Sequence, residues 1–314
     1  MKIFVTAIGG DIGYGVIKAL KQSQYELHIV GCDINKYNYS LDVVDEFYVC
    51  PPYSDEEAWM TFVLSVLDKT KADYFWPITE PEIKLVQKNA DKFAGVKVVI
   101  NTDNVIDVAT DKGMTAQALR DAGVATPKTW IKVDECLLEN STYPVIVKEK
   151  FGCGSHGVKL VNSTEELKET FENMQDPIIQ EYVGNSDEEY TMTVFSDGNI
   201  VNSIAFKRTL GFGGMSRSVE LVHDDQIQII AEKIARFFDL VGSINVQMRK
   251  TEVGFCVFEI NPRISSTIGF RCQLGFNDVK WWIDLMEGHP ASQYTVPDKK
   301  VHGIRNVEEK LFFE

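Results

Sequence analysis

The sequence predicts an α/β domain followed by an α+β domain. Three observations predict it. Apolar runs of strand length alternate with helical patterns over the first hundred or so residues, the rhythm of a parallel sheet with helices on both faces. After Pro127 the rhythm changes, and strands crowd together with glycine-rich turns between them. The length, 314 residues, suffices for two domains or one large composite.

In order, residues 2–8 form an apolar strand, followed by Gly9, Gly10, Gly13 and Gly15 and a helical pattern over 12–22. A second strand, 27–32, ends at Asp33. This is the opening of a doubly wound α/β domain. The spacing G-G-x-x-G-x-G is not the dinucleotide fingerprint G-x-G-x-x-G, so an NAD site ranks below a tight bend that lets the helix pack back. Strand 47–50 stops at Pro51-Pro52, and Ser54 with Glu57 reads as a capping box for a helix reaching Lys69. Strand 74–78 leads into Thr79-Glu80-Pro81-Glu82, which opens a helix to Phe93; strand 96–100 and a short helix capped near Asp103 complete the domain near Ile106.

A helix over 111–122 is closed by Gly123. Strands at 129–133 and 145–148 precede the turn FGCGSHG, 151–157. Strand 158–161, a helix capped by Ser163 and Glu166, and strand 178–182 follow. Strands 189–195 and 200–207 flank Asp197-Gly198-Asn199, ahead of a glycine-rich segment, 209–214. Asp224 or Asp225 caps a helix to Phe238, and helices start near Thr267 and Asn277.

Composition narrows the partners. The chain is 44% hydrophobic and 25% charged, an ordinary globular balance. A net charge of −14 disfavours a nucleic-acid backbone or an anionic membrane as partner. No apolar run approaches the roughly 18 residues of a membrane span. The start, MKIFVTAIGGDIGYG, reads as a first strand and not a signal peptide. The six cysteines include no C-x-x-C pair, which favours reduced thiols in a cytoplasmic protein over disulfides or zinc.

The chemistry centres on residues 243–263, SINVQMRKTEVGFCVFEINPR. Two apolar runs broken at Thr251–Gly254 predict a β-hairpin. If it turns near Val253, Gln247 lies about opposite Glu259, and Glu259 and Asn261 share a face. Three oxygen donors there suit Mg²⁺ carrying a nucleotide's phosphates, and Arg263 offers a forked donor to phosphate oxygens. The alternative is a buried strand with a paired Glu and an Asn-Pro turn. Lys148 ends a strand before a turn whose Gly152, Gly154 and Gly157 can present backbone N–H groups to phosphates; a solvated loop is the alternative. Lys112 starts a helix, where a cation opposes the dipole and an anionic ligand would offset it. The backbone of residues 180–183 could read an adenine edge, and Glu189 could accept from a ribose hydroxyl; both acids could equally be solvent-facing.

Taken in order, Lys112, Lys148 with its glycine turn, Gln180-Glu181-Tyr182-Val183, Glu189, Gln247 and Glu259-x-Asn261-Pro262-Arg263 resemble the ATP-grasp superfamily, and within it the branch of the carbamoyl-phosphate-synthase large subunit. The resemblance implies a Rossmann-like domain over 1–108 and a two-lobed ATP-grasp domain over 109–314, with ATP between the lobes. It implies phosphate contacts from Lys112 and Lys148, a closing loop that includes Gly152, Gly154, Ser155 and Gly157, adenine contacts from Glu181 and Val183, and ribose contact from Glu189. Gln247, Glu259 and Asn261 become ligands of Mg²⁺, or of Mn²⁺, and Arg263 steadies the transferring phosphoryl. Asn261 replaces a carboxylate found in many superfamily members. Lys207, Arg208, Arg217 and Arg271 fall where family members line the acceptor pocket, and Glu80 and Glu82 could face the same cleft.

The implied activity is ATP-dependent activation of a small carboxylate as an acyl phosphate and its joining to an amine, that of a carboxylate–amine or amino-acid ligase, and an arginine pair in the acceptor pocket would suit a carboxylate-bearing substrate such as an amino acid. The partners are small-molecule substrates, and a homodimer is compatible with the resemblance. The alternatives are a nucleotide-binding subunit without turnover, phosphorylation of a small carboxylate or carbamate as in the synthase, and, ranked last, a dehydrogenase.

Overall fold

The computed structural model describes residues 1–139, 142–152, 157–185, 187–211, 214–306 and 309–312. The N-terminal part alternates strand and helix: β1 (Lys2–Val5), α1 (Asp11–Lys21), β2 (His28–Asp33), β3 (Glu46–Val49), α2 (Glu56–Thr70), β4 (Tyr74–Trp76), α3 (Glu80–Lys88), β5 (Lys97–Val98) and α4 (Asp103–Thr110). Its five strands form a parallel sheet in the order β3-β2-β1-β4-β5. The glycine turn after β1 serves packing. A Cβ on Gly13 would fall 2.3 Å from the Ala7 carbonyl, so only glycine lets α1 start this close to the strand. The cap of α2 is Asp55, which accepts from Ala58 N at 3.1 Å, and not the expected Ser54; the helix starts one residue later than the box required. Thr79 and Glu82 do form a capping box at α3.

The second part begins with α5 (Lys112–Asp121), β6 (Thr129–Trp130), α6 (Val133–Leu138), β7 (Val145–Glu149), β8 (Lys159–Val161), α7 (Thr164–Glu172) and β9 (Pro177–Glu181). The strands make an antiparallel sheet, β6-β9-β7-β8. Then come β10 (Glu189–Asp197), β11 (Val201–Leu210), β12 (Ser216–Leu221), α8 (Asp225–Phe238), β13 (Val241–Thr251), β14 (Gly254–Asn261), α9 (Ile268–Arg271), α10 (Asp278–Met286) and β15 (His302–Ile304). These strands form a second antiparallel sheet, β14-β13-β10-β11-β12-β15. The sequence reading lacked α6, β12 and β15.

The middle of the six-stranded sheet is buried on both faces. One face carries Met192, Val194, Ile244, Val246 and Val257 onto α4, α5 and α8. The other carries Phe195, Ile204 and Phe206 into a core shared with α1, α9 and α10. Further along this second face, side chains of the same parity are polar: Glu189, Arg208 and Gln247. So one sheet face is apolar where it meets the N-terminal part and polar where it opens.

A β-bulge completes that polar end. Gln247 pairs with Glu259 and Asn245 with Asn261, but Met248 pairs with Val257, leaving Phe258 as the extra residue. The bulge shifts the alternation by one. Phe255 and Val257 face the core before it, Ile260 faces the core after it, and Phe258 and Glu259 both line the cleft.

A candidate active site between the two antiparallel sheets

The cleft between the four-stranded and six-stranded sheets encloses about 800 Å³ of empty space, its open mouth included. That lies within the ~300–1,000 Å³ typical of ligand sites. Lys148, at the end of β7, is only 5% exposed and donates to Gln180 Oε1 at 2.8 Å. Burial pushes its ammonium down to about 8; Glu259 opposes that shift, while Lys112 and Arg249 add to it. Lys112, first residue of α5, donates from Nζ to the Gly152 carbonyl at 2.5 Å and so ties that helix start to the glycine turn. Gly154 and Ser155 lie outside the described residues.

Glu181 and Val183 line the same cleft. One Glu181 oxygen accepts from Lys128 N at 3.2 Å, and the Val183 carbonyl accepts from Arg249 Nη1 at 3.3 Å. Glu189 is 9% exposed and sits between two guanidiniums: Arg208 Nη2 at 2.7 Å and Arg249 Nη2 at 3.8 Å. Sequence reasoning missed Arg249 and Phe258. The Arg249 guanidinium lies 5.2 Å from the Tyr182 ring and 5.8 Å from the Phe258 ring. Their signal was available: Arg249 follows Gln247 by two on a strand and therefore shares its face.

Gln247, Glu259 and Asn261 converge as the hairpin register expected. Gln247 Oε1 accepts from Arg208 Nη2 at 2.9 Å, Asn261 Nδ2 donates to Glu259 Oε1 at 3.0 Å, and Arg263 Nη2 donates to Asn261 Oδ1 at 2.6 Å. Among the described residues no group of three His, Cys, Asp or Glu could hold a metal. Two amides and one carboxylate give three hard oxygens with a single negative charge. That donor set fits a divalent cation arriving with phosphate oxygens of its own, and such a cation would have to exchange with the Arg208 and Arg263 hydrogen bonds.

Glu80 reaches the site from the N-terminal part, with Oε1 3.2 Å from Arg263 Nη2. Burial holds its carboxyl above the ordinary range, against the pull of Arg263. Glu82 serves instead as the capping-box acid and accepts from Thr6 Oγ1 at 2.9 Å. Of the candidate acceptor cations, Arg208 lies in the site and Lys207 pairs with Glu188 at 2.5 Å. Arg217 is exposed. Arg271 is fully buried, bound to Asp278 at 2.8 and 2.9 Å and to Ser265 and Thr267, so it holds α9 and α10 together away from the cleft.

Cations and acids alternate along these walls. Lys112, Lys148 and Arg249 line the cleft beside Glu149, Glu181, Glu189 and Glu259, and Arg208 and Arg263 line an adjoining cavity beside Asp11.

Comparison with known proteins agrees with this geometry. The carbamoyl phosphate synthase large chain of Neisseria meningitidis serogroup B is 24% identical over 328 residues, covering 94% of this chain and 29% of that one. The C-terminal section of the Aquifex aeolicus large chain is 24% identical over 349 residues, covering 95% and 62%. The chain thus spans under a third of the Neisseria relative. Among solved structures, the biotin carboxylase domain of Hydrogenobacter thermophilus 2-oxoglutarate carboxylase, in complex with MgADP, ADP and bicarbonate, superposes with a TM-score of 0.73 at 18% identity, over 93% of this chain and 71% of that one. N5-carboxyaminoimidazole synthetase from Staphylococcus aureus complexed with ADP gives 0.73 at 17%, over 93% and 78%. They share the fold, a mixed α/β arrangement of parallel and antiparallel sheets. The ATP-grasp domain model matches residues 109–267, half of the sequence, and the chain belongs to the ATP-grasp family.

Proposed function

We propose that this protein is an ATP-dependent ligase that activates a small carboxylate as an acyl phosphate and joins it to an amine, with release of ADP and phosphate. The observation that carries the reading is the convergence of Lys112, from α5, and Lys148, from the four-stranded sheet, with Gln247 and Glu259, from the six-stranded sheet, on one cleft, with Arg263 just beyond β14 in the cavity that shares Gln247 and Glu259. We further read residues 1–108 as a Rossmann-like domain, on its strand order, and 109–314 as the grasp.

In this reading Lys112 and Lys148 neutralise phosphate oxygens, and Gly152 and Gly157 flank the loop that excludes water. Glu181 and the Val183 backbone hold the base, and Glu189 the ribose. Gln247, Glu259 and Asn261 hold Mg²⁺, which supplies charge neutralisation across the phosphates. A substrate carboxylate oxygen bonds to the γ-phosphorus as its bond to the bridging oxygen breaks. The amine nitrogen then bonds to the acyl carbon, phosphate leaves, and the amine gives up a proton. Arg263 stabilises the charge that spreads over the transferring group. Positioning and charge carry this chemistry, so a protein nucleophile is not required.

The test is incubation with Mg·ATP and a panel of acids and amines. ADP release that needs both substrates supports the reading. Release of AMP and pyrophosphate, or no turnover with any pair, overturns it.

A further inference from the structure

The chain that leaves β14 carries Asn261, Pro262 and Arg263 to the corner where the phosphoryl group would transfer. The side chains there are bonded to each other and to Glu80. The backbone between them is held by a residue that lines neither cavity. Asn101, just after β5, is 3% exposed. Its Nδ2 donates to the carbonyl of Pro262 at 3.0 Å and to that of Ser243 at 2.8 Å. The ladder between β13 and β14 ends at Asn245 and Asn261, so this amide bridges the two strands just past their last pair.

Two donors on one nitrogen are what a primary amide offers. They come with a cost here, because Asn101 Oδ1 is buried and has no hydrogen-bond partner among the described residues. The surroundings are fitted to the amide all the same. Gly242 has φ +131°, and a Cβ there would fall 2.8 Å from Asn101 Oδ1 and 2.6 Å from the Trp282 ring. Ser243, the other anchor, is itself fixed: its Oγ donates to Asp278 Oδ2 at 2.6 Å, and Asp278 is the buried partner of Arg271. A line of bonds therefore runs from Arg271 through Asp278, Ser243 and Asn101 to the Pro262 carbonyl.

Building on the ligase reading, we propose that Asn101 is a positioning residue for phosphoryl transfer. It touches neither nucleotide nor substrate. Pinning the Pro262 carbonyl sets the direction in which the chain leaves β14, and with it the places of Asn261 and Arg263. Glu80 holds the head of Arg263, and Asn101 holds the backbone from which that side chain springs. Asn101 lies outside the residues matched by the ATP-grasp model, 109–267, and yet it shapes that domain's E-x-N-P-R stretch. Lys112, Lys148 and Glu181 line the nucleotide cleft without contact to Asn101, so nucleotide binding should depend on it little and transfer much.

The experiment uses the whole chain with Mg·ATP and the acid and amine that give turnover in the ligase assay. Mg·ADP affinity is read by calorimetry, and folding by thermal denaturation. Asn101→Leu keeps the volume and removes both donors; Asn101→Ser, smaller and still polar, is the second variant. Each should lower kcat about ten- to a hundredfold, the scale on which a displacement of about 1 Å acts, while Mg·ADP affinity stays within about threefold. Arg263→Lys supplies a point charge that needs no forked fit, so in that background Asn101→Leu should lower kcat by less than about threefold. A purely structural role would cost the same in both backgrounds. The proposal is overturned if the folded variants keep kcat within about threefold, if kcat and Mg·ADP affinity fall together, or if the Arg263→Lys background does not shrink the loss. It is overturned too if neither variant folds, which would make Asn101 a residue of stability alone. A parent chain that binds Mg·ADP but turns over no pair fails the ligase reading itself, before any variant is compared, and the proposal falls with it.

Discussion

Arg263, two residues beyond the end of β14, lies 3.2 Å from Glu80, the first residue of α3, so an ion pair joins the parallel-sheet part to the rim of the cleft. The same guanidinium donates to Asn261 Oδ1. Glu80 therefore aims Arg263. Replacing it with glutamine keeps the shape and removes the charge that holds the guanidinium in place. Glu80→Gln should lower kcat about ten- to a hundredfold and leave Mg·ADP affinity within about threefold. Steady-state kinetics beside calorimetry checks this; equal losses in both would mean that Glu80 supports the whole cleft and not Arg263.

Lys148 sets stability against binding. Its ammonium is buried, and its pKa falls from 10.5 to about 8. Below pH 8 the lysine is charged in both folded and unfolded chains, and the folded state bears the full desolvation cost. Between about 8 and 10.5 the unfolded chain binds the extra proton, so this group makes stability rise with pH across that window. Lys148→Met should abolish the rise. It should also stabilise the nucleotide-free protein at pH 7 by roughly 2 kcal/mol, after about 1 is lost from the bond to Gln180. Mg·ADP affinity should fall at least about tenfold. Denaturant titrations at pH 7 and 10 read the stability terms, and calorimetry reads the affinity.

The alternation of strands and helices, the Thr79 box and the register of the 241–261 hairpin were all legible because each depends on neighbours in sequence. The contacts across the cleft were less so. Glu80 and Glu82 look alike in sequence, yet one caps its helix and the other reaches Arg263, because α3 starts at the seam between two sheets. Arg271 and Arg208 look alike as well; both are buried against an acid, and only the place of that acid, Asp278 on α10 or Glu189 in the cleft, separates them. The strand β12 escaped notice because its inward positions include Ser216, a small polar residue that weakens the apolar alternation.

Glu259 is the one carboxylate among the three oxygen donors on the hairpin. Glu259→Ala removes that charge while Gln247 and Asn261 keep their arginine contacts. Turnover should be abolished, and binding of Mn²⁺ in the presence of ADP, followed by electron paramagnetic resonance, should weaken at least about tenfold. Near-normal turnover in this variant would remove the metal role from the hairpin.

The end of β2 argues against a dinucleotide in the N-terminal part. Asp33 stands where such proteins bind a ribose. Here its Oδ2 accepts from Gly9 N at 2.8 Å and its Oδ1 from Asn35 N at 2.9 Å. A Cβ on Gly9 would fall 2.8 Å from that carboxylate, so the turn and the acid are fitted to each other. NAD should leave the melting temperature unchanged. Mg·ADP at a hundredfold excess over its Kd should add about 2.7 kcal/mol, a shift of several degrees. Protection by NAD and not by Mg·ADP would reverse the assignment.

The bulge at Phe258 gives the sharpest test of how the fold makes the site. It lets Val257 and Ile260 face the core while Glu259 faces the cleft. Deleting Phe258 leaves plain alternation in which Val257 and Ile260 still face the core and Glu259 and Asn261 still face the cleft. The deletion variant should therefore fold and keep binding Mg·ADP, weakened about three- to tenfold through loss of a cleft wall. Phe258→Ala keeps the residue count and the bulge, and should show a loss of the same size. Thermal denaturation of both variants with and without Mg·ADP checks this. A deletion variant that folds but is not stabilised by Mg·ADP would show that the bulge itself, and not only the parity of its neighbours, holds Glu259 toward the cleft.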